Sequence, residues 1–281
     1  MTAKTAHPGI RALLAVAYVV MIATNALANA LPINGRTTGG VSDSYPNLFA
    51  PTGITFAIWG VIYILLGAHV LYQMGLFRAP GGRESQAERA MLERVGVLFA
   101  ASSFANAAWI LAWHYDFIGL STLLLATMLV LLIAITRILV RAELTLRERL
   151  LVRLPFSVYF GWLTVATIAN TTVWLVSVGW DGLGIAESTW TVAILAVGAL
   201  IGTAVILRDR DIAYGLVFVW AYLGIWLKHT ADTGFAGAHP SVIITALTCI
   251  AVFVVAGAVA LVLSRREALG RSGEPSPRPV G

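Results

Sequence analysis

A chain of 281 residues that is 58% hydrophobic and only 12% charged, with a mean hydropathy of +0.82, is too apolar for a water-soluble domain. Its formal charge of +5 would suit an anionic partner, but the positions of the charges assign them to membrane topology, and no nucleic-acid partner is expected. The lone Cys249 lies inside an apolar run, which excludes a disulfide and a cysteine metal site.

Eight apolar runs are long enough to span about 30 Å of hydrocarbon at about 1.5 Å per residue. They cover residues 11–32, 53–75, 95–114, 119–140, 154–177, 189–207, 212–228 and 240–264. The expected class is therefore an all-α polytopic membrane protein with about eight transmembrane helices. Of the 19 Lys and Arg residues, only Arg36 and Lys228 fall in the segments on one side of this arrangement. The positive-inside rule then places both termini and the Arg-rich loops in the cytoplasm. An integral multi-pass protein of a bacterial plasma membrane is expected, with the lipid bilayer as its first partner.

The first run follows Lys4 and Arg11 and ends near Ala28-Asn29-Ala30, imitating a secretory signal with an A-x-A cleavage site. Its length, and Asn25 and Asn29 within it, favour a retained helix instead. After it comes a polar loop, residues 33–52, rich in Gly, Asn and Ser. The second span, PTGITFAIWGVIYILLG, places Trp59, Tyr63 and Gly67 at i, i+4 and i+8, on one helical face. These residues either wall a pocket or form an interfacial belt with Gly67 admitting a neighbouring helix.

The third span aligns Asn106, Trp109 and Trp113 in one stripe. The fifth aligns Trp162, Ala166, Asn170 and Trp174 at four-residue steps. Counting the helical rise from each outer end puts Asn25, Trp59, Asn106, Trp109 and Asn170 in the outer half of the bilayer, and Trp162 roughly 20 Å below its own outer end. The asparagines taken singly read as interhelical glue, whereas the set at one depth reads as the wall of a ligand cavity.

Span seven carries Trp220, Tyr222, Trp226 and Lys228, the last placed to snorkel to the interface. His69, His114, His229 and His239 show no metal-ligand spacing, and no bound metal is expected. Residues 265–281, rich in Arg, Gly, Ser and Pro, read as a disordered tail.

Three of these motifs carry a resemblance. Pro51, Phe56, Trp59, Tyr63 and Gly67 resemble the second helix of the tryptophan-rich sensory protein or translocator protein family (TspO/MBR), with its W-x-x-x-Y-x-x-x-G signature. Asn106-Ala-Ala-Trp109 is similar to the third-helix N-x-x-W, and Trp162 through Ala166, Asn170 and Trp174 resembles the fifth-helix W-x-x-x-A-T-x-x-N-x-x-x-W. Thr52, Gly53, Ala57 and Ala107 depart from the family pattern.

The resemblance covers roughly residues 10–178, which implies a five-helix bundle, with residues 179–264 as a three-helix membrane segment lacking a counterpart. It implies a tetrapyrrole or similar flat hydrophobic ligand, no required cofactor, and a cavity beneath the loop 33–52. Carried over by position, Trp59, Tyr63, Asn106, Trp109, Trp162, Ala166 and Asn170 would line it, and Arg36 is either a propionate partner or a solvated loop charge. The function implied is a sensor or carrier, with homodimerisation left open. A secondary transporter of another solute and a membrane enzyme degrading porphyrin are the alternatives. A midplane ionisable group, internal repeats and paired intramembrane carboxylates, which those alternatives would favour, are not visible in the sequence.

Overall fold

A computed structural model describes residues 8–31, 33–77 and 85–272. Eight of the described helices are long and apolar enough to cross a membrane, in agreement with the expected class and count. Inside hydrocarbon every backbone N–H and C=O must find a partner within the segment, so each apolar run becomes one continuous helix.

The first is α1 (Pro8–Ala30), followed in the loop by the short α2 (Thr38–Asp43). The second span enters through a 3-10 turn, Gly53–Ala57, and continues as α3 (Ile58–Gln73). Then come α4 (Gln86–His114) and α5 (Ile118–Val140). A capping box of Thr145 and Glu148 opens α6 (Leu146–Glu148), which runs through a wide turn at Arg149–Arg153 into α7 (Leu154–Ser177). The last three are α8 (Glu187–Asp209), α9 (Ile212–Thr230) and α10 (Pro240–Ser272).

Two helices, α4 and α10, outrun their expected limits by about two turns. Hydropathy finds only the part of a helix that sits in hydrocarbon, whereas α4 begins earlier, where Ser85 caps the Glu88 N–H at 3.0 Å and Arg89 pairs with Glu93 four residues on. At the other end, residues 265–272 are helical where a disordered tail was expected. Arg265 and Arg266 are good helix formers, so the helix continues past the end of the apolar run. The remainder of that tail, Lys4 and the loop arginines Arg78 and Arg83 lie outside the described residues.

Five helices close into a ring in the spatial order α1, α3, α7, α5, α4. The remaining three form a second layer, with α9 lying on α7 and α10 bridging α9 and α8. Small residues set the close approaches. A Cβ on Gly67 would lie 2.6 Å from the Tyr18 hydroxyl of α1, so the helix-approach reading of Gly67 is the one realised. A Cβ on Gly161 of α7 would lie 3.0 Å from the Tyr214 carbonyl oxygen of α9.

Large apolar side chains such as Ile64, Val130, Leu200, Leu216 and Ile244 point outward and are well exposed, as lipid-facing residues should be. At the arginine-rich end, the buried Asp209 carboxylate pairs with Arg137, and the Arg153 guanidinium donates to the Asp209 carbonyl at 2.7 Å. Asp211 there caps α9 through the Tyr214 N–H.

Candidate functional site

The site is set by where α3 begins. Thr52 N–H donates to the Gly224 carbonyl at 3.2 Å, and the Trp220 indole N–H donates to the Thr55 carbonyl at 2.9 Å. A Cβ on Gly224 would fall 2.0 Å from Thr55 Oγ1, so only glycine admits this contact. Gly224 lies well inside the lid end of α9, which drops the start of α3 below the end of the bundle and leaves the loop 33–52 to fill the space above. Counting rise from helix ends assumes all ends are level. That is why Trp162 was expected beneath the other aromatics, yet packs against Trp59 with ring centroids 6.2 Å apart.

Trp59 is the hub of the aromatic cluster. It stacks on Tyr63 at 5.5 Å with 22° between planes, meets Trp109 at 5.5 Å, and is T-shaped to Tyr159 and Trp162. Phe56 stands edge-on to Trp162 at 6.1 Å, and Trp109 stacks on Trp113 at 6.3 Å. Offset and edge-to-face geometries of this kind are the favoured ones for aromatic pairs.

Two spaces meet at Trp59. One is enclosed within the ring, beneath the loop, and lined by Phe56, Trp59, Trp109, Trp162, Ala166 and Asn170, with Ala221 and Ile225 contributed by α9. The cavity volume there is about 40 Å³, enough for a few waters and far too little for a macrocycle. The other is an open groove between α1, α3 and the loop, of about 660 Å³ by the same measure. Trp59 and Tyr63 line it, together with Phe56, Gly60, Asn25, Asn29, Thr38 and Asp43. Its size falls in the ordinary range for small-molecule sites.

Five of the seven expected lining residues, Trp59, Trp109, Trp162, Ala166 and Asn170, thus border the enclosed cavity, and Tyr63 borders the groove. Asn106 borders neither. Its amide accepts from Asn25 Nδ2 at 2.7 Å and donates to the Tyr159 hydroxyl at 3.3 Å, joining α1, α4 and α7. Asn170 serves both roles. It accepts the Trp109 indole N–H at 3.1 Å and donates to Ser121 and Thr122 at 3.0 and 2.8 Å, yet one face still meets the cavity.

Two buried donors on these walls, the Trp162 indole N–H and the Tyr63 hydroxyl, have no hydrogen-bond partner among the described residues. Buried polar groups are nearly always paired, so such groups beside a cavity and a groove mark places where a ligand acceptor fits.

The loop is pinned as a lid from both layers. Asn34 Nδ2 donates to the His114 carbonyl at 3.0 Å, the His114 ring bonds to the Ile33 carbonyl, and the Trp113 indole N–H donates to the Thr38 carbonyl. Arg36 pairs with Asp116 in the turn between α4 and α5, a structural role that differs from both sequence expectations for it. The phenol of Tyr45 donates to the same carboxylate at 3.1 Å. Its pKa is raised, chiefly because the ring is partly desolvated and then because the hydrogen bond to Asp116 holds the proton.

From the second layer, Lys228 pairs with Asp43 at 3.2 Å rather than simply reaching for the interface. The buried His229 bonds to the Leu48 carbonyl at 2.8 Å, and Glu187 accepts the Leu48 N–H at 2.9 Å. Sequence reading missed these anchors, and with them Ala221 and Ile225. The available signal was His229 and Lys228 ending a transmembrane helix opposite a loop containing Asp43.

The described residues contain no group of three or more His, Cys, Asp or Glu side chains arranged to hold a metal. His69 bonds to Gln73 one turn on in α3 and to the Leu151 carbonyl in the turn that leads into α7.

A five-helix ring, an aromatic hub and a covering loop are together the arrangement that the three motifs implied. The family model described as TSPO-like protein matches residues 11–259. The chain belongs to this family. The match continues beyond residue 178 through α8 and α9 and into α10, which corrects the expectation that residues 179–264 have no counterpart. In this TSPO-like chain the second layer is built into the site, since α9 supplies cavity wall and lid anchors alike. No curated protein and no solved structure matches the chain.

Proposed function

We propose that this TSPO-like membrane protein binds a tetrapyrrole or similarly flat hydrophobic ligand and acts as its sensor or carrier, with the arginine-rich end and both termini in the cytoplasm. The reading is carried by the Trp59 and Tyr63 pair, which presents stacked rings to a 660 Å³ groove while the space behind Trp59 holds only about 40 Å³. A planar macrocycle gains most from contact with an aromatic face, and Tyr63, the more exposed ring of the pair, is the one that meets the groove most fully. The ligand therefore docks first in the groove, and entry to the enclosed cavity requires Trp59 to turn. The Tyr63 hydroxyl and the Trp162 indole N–H supply one donor on each side for the ligand's carboxylate or carbonyl oxygens.

Titration with protoporphyrin IX, followed by quenching of tryptophan fluorescence in detergent, tests this. Saturable quenching is expected, weakened about tenfold or more by Trp59→Leu, with Tyr63→Phe weakening it less because only the hydroxyl is lost. Non-saturating quenching that is the same in both variants would overturn the reading.

A further inference from the structure

A second pair of spaces lies outside the ring, along the crease where α7 and α8 diverge. Nearest the lid end is a cavity of about 350 Å³ bordered by Pro46 to Leu48 of the lid, the turn after α7 and the first residues of α8. It contains two carboxylates, Asp181 and Glu187, and its lining includes no Lys, Arg or His. Directly against it is a second space of about 350 Å³ walled almost wholly by apolar groups, among them Ile168, Ala193 and Val197. The two share Thr172, Leu175, Trp180, Trp190 and Ile194, so they adjoin, an acidic end beside an apolar one.

The junction is aromatic and held in place. The rings of Trp180 and Trp190 lie 5.1 Å apart at 60° to each other, forming two sides of an angle rather than a flat stack. The Trp190 indole N–H donates to the Gly182 carbonyl at 2.7 Å, which fixes that ring on the turn. Each carboxylate is positioned by a backbone N–H: Asp181 accepts from Leu183 and Glu187 from Leu48, both at 2.9 Å. Two indole faces set at an angle beside two carboxylates form the recognition chemistry of an ammonium group, which is attracted to the ring faces and to the anions together. A phosphate or sulfate head would be repelled by both carboxylates there.

We propose that this crease is a binding site, distinct from the Trp59 groove, for a cationic amphiphile with an ammonium head and a single alkyl tail. The head sits in the open angle in front of the Trp180 and Trp190 rings, beside Asp181 and Glu187, and the tail lies between α7 and α8 along Ile168, Ala193 and Val197. The apolar space is open on its outer side, so the tail enters from the membrane without opening the lid.

The test uses the full chain in neutral maltoside micelles, titrated with tetradecyltrimethylammonium, with bound copies counted by native mass spectrometry. One saturable copy is expected, at least tenfold tighter than tetradecanol, which has the same tail and no charge. Trp190→Leu should weaken it about fivefold to tenfold, and Trp190→Phe, which keeps an aromatic face, should weaken it less. Asp181→Asn combined with Glu187→Gln should weaken it about tenfold and flatten its salt dependence; the glutamine can still accept the Leu48 N–H, so the lid contact is kept. Equal binding of tetradecanol or tetradecyl sulfate would show the tryptophans to be an interfacial belt and overturn the proposal. So would wild-type affinity in the Asp181→Asn, Glu187→Gln variant at unchanged circular dichroism.

Discussion

Replacing Asn170 with leucine separates the two roles that this side chain combines. Leucine keeps the branched outline of the amide in a larger side chain, so the cavity stays walled while the polar hub joining α4, α5 and α7 is lost. Ser121 and Thr122 retain partners, since both hydroxyls also donate to the Ile118 carbonyl at 2.9 Å. The Trp109 indole N–H does not, because Asn170 Oδ1 is its acceptor. An orphaned buried donor costs about 1–3 kcal/mol. The two lost amide donations add about 0.6 kcal/mol each, the typical worth of an interhelical hydrogen bond in a membrane protein.

Asn170→Leu should therefore destabilise the fold by about 2–4 kcal/mol, read from unfolding in mixed micelles of maltoside and dodecyl sulfate. Trp109→Phe removes the orphan, so in the Asn170→Leu background it should cost about 1 kcal/mol less than in the wild type. Wild-type stability for Asn170→Leu, or strict additivity of the two changes, would refute the hub assignment.

Other parts of the structure give separate expectations. Gly161→Leu forces a side chain against the Tyr214 backbone and should pry α9 from α7, destabilising by about 1–3 kcal/mol or more, whereas Gly9→Leu, where a Cβ meets nothing within 4 Å, should be neutral in the same unfolding assay. His229→Leu leaves the Leu48 carbonyl without its ring partner and should speed proteolysis within residues 33–52 several-fold; Lys228→Gln, which removes only a partly exposed ion pair, should do so much less. Tyr45 has a folded pKa above its ordinary value of 10.0, so its contribution to lid attachment is complete below that pH and is lost as pH rises through the shifted value. The difference in tyrosinate absorbance between wild type and Tyr45→Phe should appear above pH 10.0, and ionisation below it would contradict the Asp116 contact.

The spans were legible because hydrocarbon leaves the backbone a single solution, and the aromatic stripes were legible because helical spacing alone puts Trp59 with Tyr63 and Trp162 with Ala166 and Asn170. What spacing could not give was the relative height of different helices. The low start of α3 comes from Gly224 meeting Thr55, a contact between residues far apart in sequence, and it brings Trp162 level with Trp59. The same is true of the lid anchors. Glu187, Lys228 and His229 each looked like an ordinary residue at a helix end, and their partners Leu48 and Asp43 lie in another part of the chain. Asn106 shows the converse: its place in a motif suggested ligand contact, whereas its neighbours Asn25 and Tyr159 occupy its amide.

The most direct measurement is the structure of the protein with protoporphyrin IX bound. The macrocycle should lie in the groove between α1 and α3, its plane against the Trp59 and Tyr63 rings and a carboxylate within hydrogen-bonding distance of the Tyr63 hydroxyl. A porphyrin found only on the outer surface of the bundle, with Trp59 and Tyr63 untouched, would contradict the assignment of this aromatic wall as the ligand site.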